Sequence, residues 1–182
     1  MAENEQTISD VQAADPDRIQ AEVARIRSAH PDAIVGIEEQ PERGLYWIRV
    51  KPRTIIPVAK LLRDDPKLDY KMLADLFCID RPESEKRFNV VYNLYSVTRN
   101  RRIFLRVHVA DGEPVPTLSE IYPCANWAER EIYDLFGVPF EGHPDPRRIM
   151  MPDDWSGHPL RKDYPAVGRQ PVILFNNVKD IL

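Results

Sequence analysis

The chain has 182 residues, 43% of them hydrophobic, with a formal net charge of −4. That is core enough for one domain. It lacks the basic balance that phosphate backbones require, and no apolar run approaches the roughly 20 residues of a membrane-spanning helix.

Residues 1–14 are polar and acidic, without Lys or Arg, and are read as a mobile leader rather than a secretory signal or transit peptide. The chain is thus expected in the cytosol, or held to a membrane only through other proteins. Asp15-Pro16 reads as an N-cap and first helical residue. Ile19, Val23 and Ile26 supply the stripe of a first helix that ends at Pro31. Ala33 to Ile37 and Leu45 to Val50 read as two strands of a hairpin around the turn Pro41-Glu42-Arg43-Gly44. In the second strand Tyr46, Ile48 and Val50 share one face, Trp47 and Arg49 the other. Thr54 can cap a second helix carrying Ile55, Val58, Leu61 and Leu62, which ends at Asp64-Asp65-Pro66. Met72 to Ile79, Phe88 to Val97 and Arg102 to Val109 read as an antiparallel meander. The order helix, two strands, helix, three strands predicts a two-layer α+β domain over residues 15–116, with both helices on one face of the sheet.

Asp111 to Pro116 is expected to be a loop. Residues 117–138 form a helical segment. Thr117 with Glu120 reads as a capping box for a short turn, and Asn126 with Glu129 as a second box opening a short charged helix. Gly137 and Pro139 stop that helix. From Pro139 to Pro171 there are seven prolines and three glycines, so residues 139–182 are expected to form an extended arm with an apolar tail, Val172 to Leu182. Such a segment hardly builds a core of its own. It must lie on its own domain or on a partner.

The polar residues here invite chemistry. Glu131 and Asp134 share a helix face, Arg130 can pair with Asp134 four residues on, and His143 and His158 sit in matched Gly-His-Pro triplets. Together the acids and histidines could make a metal site, or Glu131 could act as a general base. Against this, metal sites of that kind draw ligands from two helices, and no second Glu-x-x-His exists. The triplet histidines more simply bond backbone. Arg147, Arg148, Arg161 and Lys162 could take a phosphate or carboxylate, but Asp145, Asp153, Asp154 and Asp163 lie among them, so internal pairing is favoured. Alternating charge beside Trp127, Tyr133 and Phe136 suits a docking interface. No phosphate loop, dinucleotide fingerprint or nucleophile elbow is present. Cys78 and Cys124 cannot supply the four thiolates of an iron–sulfur cluster and are expected to be buried reduced thiols.

The stretch Glu129-Arg130-Glu131-Ile132-Tyr133-Asp134-Leu135-Phe136-Gly137, followed by Phe140-Glu141-Gly142-His143-Pro144-Asp145 and Arg147-Arg148-Ile149, resembles the signature of the 30 kDa subunit of respiratory complex I, the proton-translocating NADH:quinone oxidoreductase. Met151-Pro152-Asp153-Asp154-Trp155 and Gly157-His158-Pro159-Leu160-Arg161-Lys162-Asp163-Tyr164 resemble it too. The resemblance implies a non-redox subunit of the peripheral arm, on the cytoplasmic face of a bacterial inner membrane. It would dock on the 49 kDa-like subunit that forms the quinone site, and touch neighbouring iron–sulfur subunits. No cofactor is expected in this chain; FMN, iron–sulfur clusters, NADH and quinone belong to partner subunits. The interface residues implied are Glu129, Arg130, Glu131, Tyr133, Asp134, His143, Arg147, Arg148, Trp155, His158, Arg161 and Lys162. Cys124 stands where the family more often has Gly. Ferredoxin- and hydrogenase-linked relatives share the motif, and a free-standing metal-dependent enzyme is the remaining alternative.

Overall fold

A computed structural model describes residues 16–40 and 45–167. The leader, the Asp15 cap, the Pro41–Gly44 turn and the apolar tail lie outside them. Helix α1 (Pro16–Ala29) starts at the expected proline, and β1 (Ile34–Gln40) pairs antiparallel with β2 (Leu45–Val50). A 3-10 turn, Pro52–Thr54, leads into α2 (Ile55–Asp64). Thr54 does not cap α2: its hydroxyl donates back to the Lys51 carbonyl at 2.9 Å, inside that turn. The meander is β3 (Met72–Asp80), β4 (Phe88–Ser96) and β5 (Arg101–Val109).

The sheet order is β1-β2-β5-β4-β3, with β2 and β5 parallel and every other pair antiparallel. Alternation decides the faces. Tyr46, Ile48, Val50, Phe88, Val90, Tyr92, Leu94, Ile103, Leu105, Val107 and Val109 point one way, into a core completed by Ile19, Val23 and Ile26 of α1 and Ile55, Val58, Ala59 and Leu62 of α2. This is the two-layer α+β arrangement expected, with both helices on one face.

The segment read as loop at 111–116 instead holds β6 (Val115–Pro116), which pairs in parallel with β7 (Phe140–Glu141). Between them runs α3 (Ala125–Phe136), whose Ala125 and Ile132 join the same core. Neither capping box forms. Glu120 is exposed, and Cys124 stands at the α3 N-cap with no side-chain cap bond. Glu129 turns inward to the Thr117–Leu118 backbone, so a tertiary contact takes the side chain a box would use. Cys78 is buried, but Cys124 is exposed, because the N-cap position lies at the surface end of the helix.

Candidate functional site

The last turn of any helix leaves four carbonyls without intrahelical donors. In α3 the residues after the helix supply those donors. Gly137, in the left-handed region at φ 76°, returns its N–H to Tyr133 O at 2.8 Å. Arg148 and His158 Nδ1 both reach Asp134 O, at 3.2 and 2.9 Å. Leu160 N–H donates to Leu135 O at 3.1 Å, and Arg161 Nε to Phe136 O at 2.5 Å. The positively charged groups sit at the negative end of the helix dipole. The Pro/Gly-rich segment therefore lies on its own chain as the C-cap of α3.

Asp134 organises this junction. A carboxylate near a helix C-terminus opposes the dipole, and this one is fully buried. Its Oδ2 accepts the N–H groups of Ile149, Met150 and Met151 at 3.0, 2.8 and 2.8 Å, and its Oδ1 accepts Arg148 at 2.5 Å. Burial pushes its pKa up, but the hydrogen bonds from Met151, Arg148, Met150 and Ile149 together outweigh it and hold the group below the usual carboxylate value. The expected Arg130–Asp134 pair does not form. Arg130 reaches instead to the carbonyls of Arg147 and Arg148, both at 2.9 Å, and to Asp145 at 3.3 Å.

Glu129 works on the other side of the helix. It accepts Leu118 N–H at 2.8 Å and the Thr117 hydroxyl, which ties the turn before α3 to its second turn. Burial raises its pKa to about 7 against those bonds. His143 Nδ1 accepts Asp145 N–H at 3.0 Å, so the ring proton is on Nε2, facing Asn126 O at 3.0 Å. His143 and His158 thus spend ring nitrogens on backbone, as their triplets predicted. Among the described residues no group of three His, Cys, Asp or Glu lies close enough to hold a metal ion.

The far end of the arm is pinned to the sheet. Arg87 bridges Asp80 at 2.6 Å and Asp163 at 2.7 Å, and Lys162 N–H donates to Asp80 at 2.7 Å. The guanidinium groups of Arg87 and Arg161 each lie 5.1 Å from the centroid of the Phe88 ring. Arg161 also pairs with Asp111 at 2.9 Å. The Arg87 guanidinium holds Asp163 down at about 2. Internal pairing of the arm's charges is therefore extensive, though its partners include Asp80, Arg87 and Asp111. No signal in one sequence links residues 50 to 82 positions apart, and these anchors were missed.

Of the twelve residues singled out, Glu129 and Asp134 are interior. Arg130, His143, Arg148, His158 and Arg161 are half-buried fasteners, and Tyr133 and Trp155 are half-buried. Glu131, Arg147 and Lys162 face solvent. Beside Glu131 on the same helix face stands Trp127, 70% exposed. A small crevice of about 160 Å³ opens between Tyr133 of α3 and the arm's Pro139, Phe140 and Pro146. The arrangement is suited to presenting a fixed surface.

Residues 48–170 match the family described as "Respiratory-chain NADH dehydrogenase, 30 Kd subunit". The chain is 46% identical over 155 residues to the C-type subunit of NADH-quinone oxidoreductase from Roseiflexus castenholzii, covering 85% of this chain and 88% of that one. It is 40% identical over 153 residues to the same subunit from Cereibacter sphaeroides, covering 84% and 76%. Among solved structures, Nqo5 as a trypsin-resistant fragment (1–134) superposes with a TM-score of 0.57 at 29% identity, over 70% of this chain and 98% of that one. A chain of the membrane-bound sulfane sulfur reductase, an archaeal respiratory membrane complex, superposes with a TM-score of 0.62 at 24% identity, over 82% and 87%; this likeness speaks for the fold.

Proposed function

Because the chain belongs to the 30 kDa subunit family of respiratory-chain NADH dehydrogenase, we propose that it is a scaffold subunit in the peripheral arm of an NADH:quinone oxidoreductase. It carries no redox group itself, docks on the quinone-site subunit and neighbouring iron–sulfur subunits, and keeps the quinone-site subunit in shape while electrons pass from NADH to quinone. FMN, iron–sulfur clusters, NADH and quinone are handled by those partners. No helix among the described residues is long and apolar enough to cross a membrane, and the chain is held at the cytoplasmic face through the complex.

One observation supports this most. The family-signature residues Asp134, Arg148, His158 and Arg161 are consumed in fixing the arm to α3, while Trp127 and Glu131 on the same helix stay exposed. Exposed aromatic anchors on a rigid support are what a docking face needs. The described part of the arm, up to residue 167, extends that face. Relatives at 40–47% identity over most of the chain favour the NADH-linked complex over a ferredoxin- or hydrogenase-linked one.

Tagged chain purified from its own membranes tests this reading. The complex's other subunits should co-purify, with NADH:quinone reductase activity. Trp127→Glu should lose both together while the free variant keeps its melting temperature. A Trp127→Glu complex that assembles fully yet reduces quinone slowly would point to a direct role in catalysis instead.

A further inference from the structure

The two ends of the meander strands differ. The arm is pinned at one end, to Asp80, Arg87 and Asp111. By register that end holds the pairs Asp80–Phe88 and Phe88–Val109, and the other end holds Met72–Tyr95 and Ser96–Arg101. At this second end the connection from α2 to β3, residues 67–71, meets the turn between β4 and β5, residues 97–102. The two stretches carry five cations, Lys67, Lys71, Arg99, Arg101 and Arg102, against one carboxylate, Asp69. Arg18 of α1 adds a sixth. The buried Glu22 adds a second acid, 3.1 Å from Arg101 and 3.8 Å from Arg18. The neighbouring Asp64 and Asp65 are matched by Arg63 and Arg25. Positive charge is therefore left over here, in a chain whose net charge is −4.

The patch is open to solvent and held in shape. Lys67, Lys71, Arg99 and Arg102 are exposed. So are two apolar side chains, Val97 at 66% and Met72 at 48%. Met72 is the cross-strand partner of Tyr95, and Val97 follows Tyr95 by two residues. Backbone carbonyls fix two of the guanidinium groups: Arg99 donates to Pro66 O at 2.6 Å and Arg101 to Lys67 O at 2.8 Å. The Thr98 hydroxyl donates to the Asp69 carboxylate, and Tyr95 OH to Asn100 Oδ1 at 2.7 Å. Asp69 and Asn100 hold the left-handed backbone, at φ 57° and 47°, that these two residue types tolerate. Beneath the surface the Nε atoms of Arg18 and Arg101 have no hydrogen-bond partner, and both are donors. The shortage at this end is of acceptors.

We infer that this end of the sheet is a second docking surface, which takes an acidic segment of a neighbouring protein in the assembled complex. Carboxylates of that segment pair with Lys67, Arg99 and Arg102, and an apolar side chain covers Met72 and Val97. A lipid surface asks only for loose positive charge, whereas Arg99 and Arg101 are tied by carbonyls in set positions, which suits carboxylates that are themselves held in place. The docking rests on the reading of the chain as part of a larger complex. It adds a surface at the far end of the strands from the arm's anchors.

The test uses the full-length tagged chain in its own membranes, with the photo-reactive benzoylphenylalanine replacing the exposed Val97. Irradiation of the purified complex should yield an adduct to another subunit, at a peptide with Asp or Glu beside the crosslink. An adduct to lipid, to residues 1–15 or 168–182 of the same chain, to a second copy of the chain or to a peptide without Asp or Glu there overturns the inference, as does no adduct. In parallel, Lys67→Glu with Arg102→Glu should lower the chain retained in the complex by roughly tenfold, because like charges then meet. Lys67→Arg with Arg102→Lys should retain most of it, and both free variants should melt within a few degrees of the parent. Full retention of the charge-reversed chain contradicts the inference. If the unmodified tagged chain brings down no other component of an NADH dehydrogenase, both the functional reading and this inference fall. If such components co-purify without the adduct, only the inference falls.

Discussion

The sheet domain and the arm are held by different physics. The sheet buries aliphatic and aromatic side chains against α1 and α2, a cooperative, non-directional attraction that tolerates imperfect geometry. The arm buries little of that kind. Its exposed Met150, Leu160 and Val167 show as much, and its shape comes from directional bonds to Asp134, the α3 carbonyls, Asp80 and Asp111. A region fixed by hydrogen bonds at a few points holds a defined surface yet can be released by cutting one point. That suits the docking role proposed for it.

The sharpest way to break the contrast is to remove one fastener and one core residue and compare. Asp134→Ala strands Arg148 and three backbone N–H groups, at a cost of about 3–5 kcal/mol. The loss should be local: rapid proteolysis near Arg147–Arg148 with the circular-dichroism melt of the sheet little changed. Leu105→Ala, in the fully buried centre of β5, should cost about 2–5 kcal/mol and lower the melting temperature of the whole chain. If Asp134→Ala instead lowers the global melt as Leu105→Ala does, arm and sheet are one cooperative unit.

Glu129 sharpens the comparison through pH. Its pKa in the fold, about 7, stands above the 4.5 of an ordinary glutamate. The folded chain therefore holds that proton more tightly, and the stability this group contributes is full below about pH 4.5 and lost as pH rises through 7. The swing is on the order of 3 kcal/mol. His108 and His158, with lowered pKa values, act in the opposite sense as pH falls below their ordinary 6.5. The difference between the parent chain and Glu129→Gln isolates the Glu129 share: the variant should gain stability relative to the parent between pH 5 and 8.

Gly137→Ala should have a smaller effect. The added Cβ would sit 2.5 Å from Arg161 Nη2 and 2.6 Å from the His158 ring. Left-handed backbone adds about 1–2 kcal/mol. Faster trypsin cleavage at Arg161 with an unchanged sheet melt is the expected result.

The sheet was legible because alternation survives in any context. The faces assigned to Tyr46, Ile48 and Val50 and to Ile103, Leu105, Val107 and Val109 are those observed. The parallel β2–β5 contact was not legible, since nothing local encodes which strands meet. At the junction, the importance of Asp134 and the two histidines showed in the sequence, but their partners did not. Glu129 read as a helix-capping acid because its spacing from Asn126 fits, whereas the fold aims it at Thr117 and Leu118. The Arg130–Asp134 spacing misled in the same way: helical proximity offers a pair, and a buried carboxylate with three backbone donors is better satisfied elsewhere.

Native-state hydrogen exchange of the Ile149, Met150 and Met151 amides, read against those of β4 and β5 in the same sample, tests the central claim most directly. The arm amides should open by a separate, lower-energy route than the sheet, and Asp134→Ala should abolish their protection while leaving β4 and β5 unaltered. Equal opening energies in both regions, or full protection of the three amides without the Asp134 carboxylate, would contradict it.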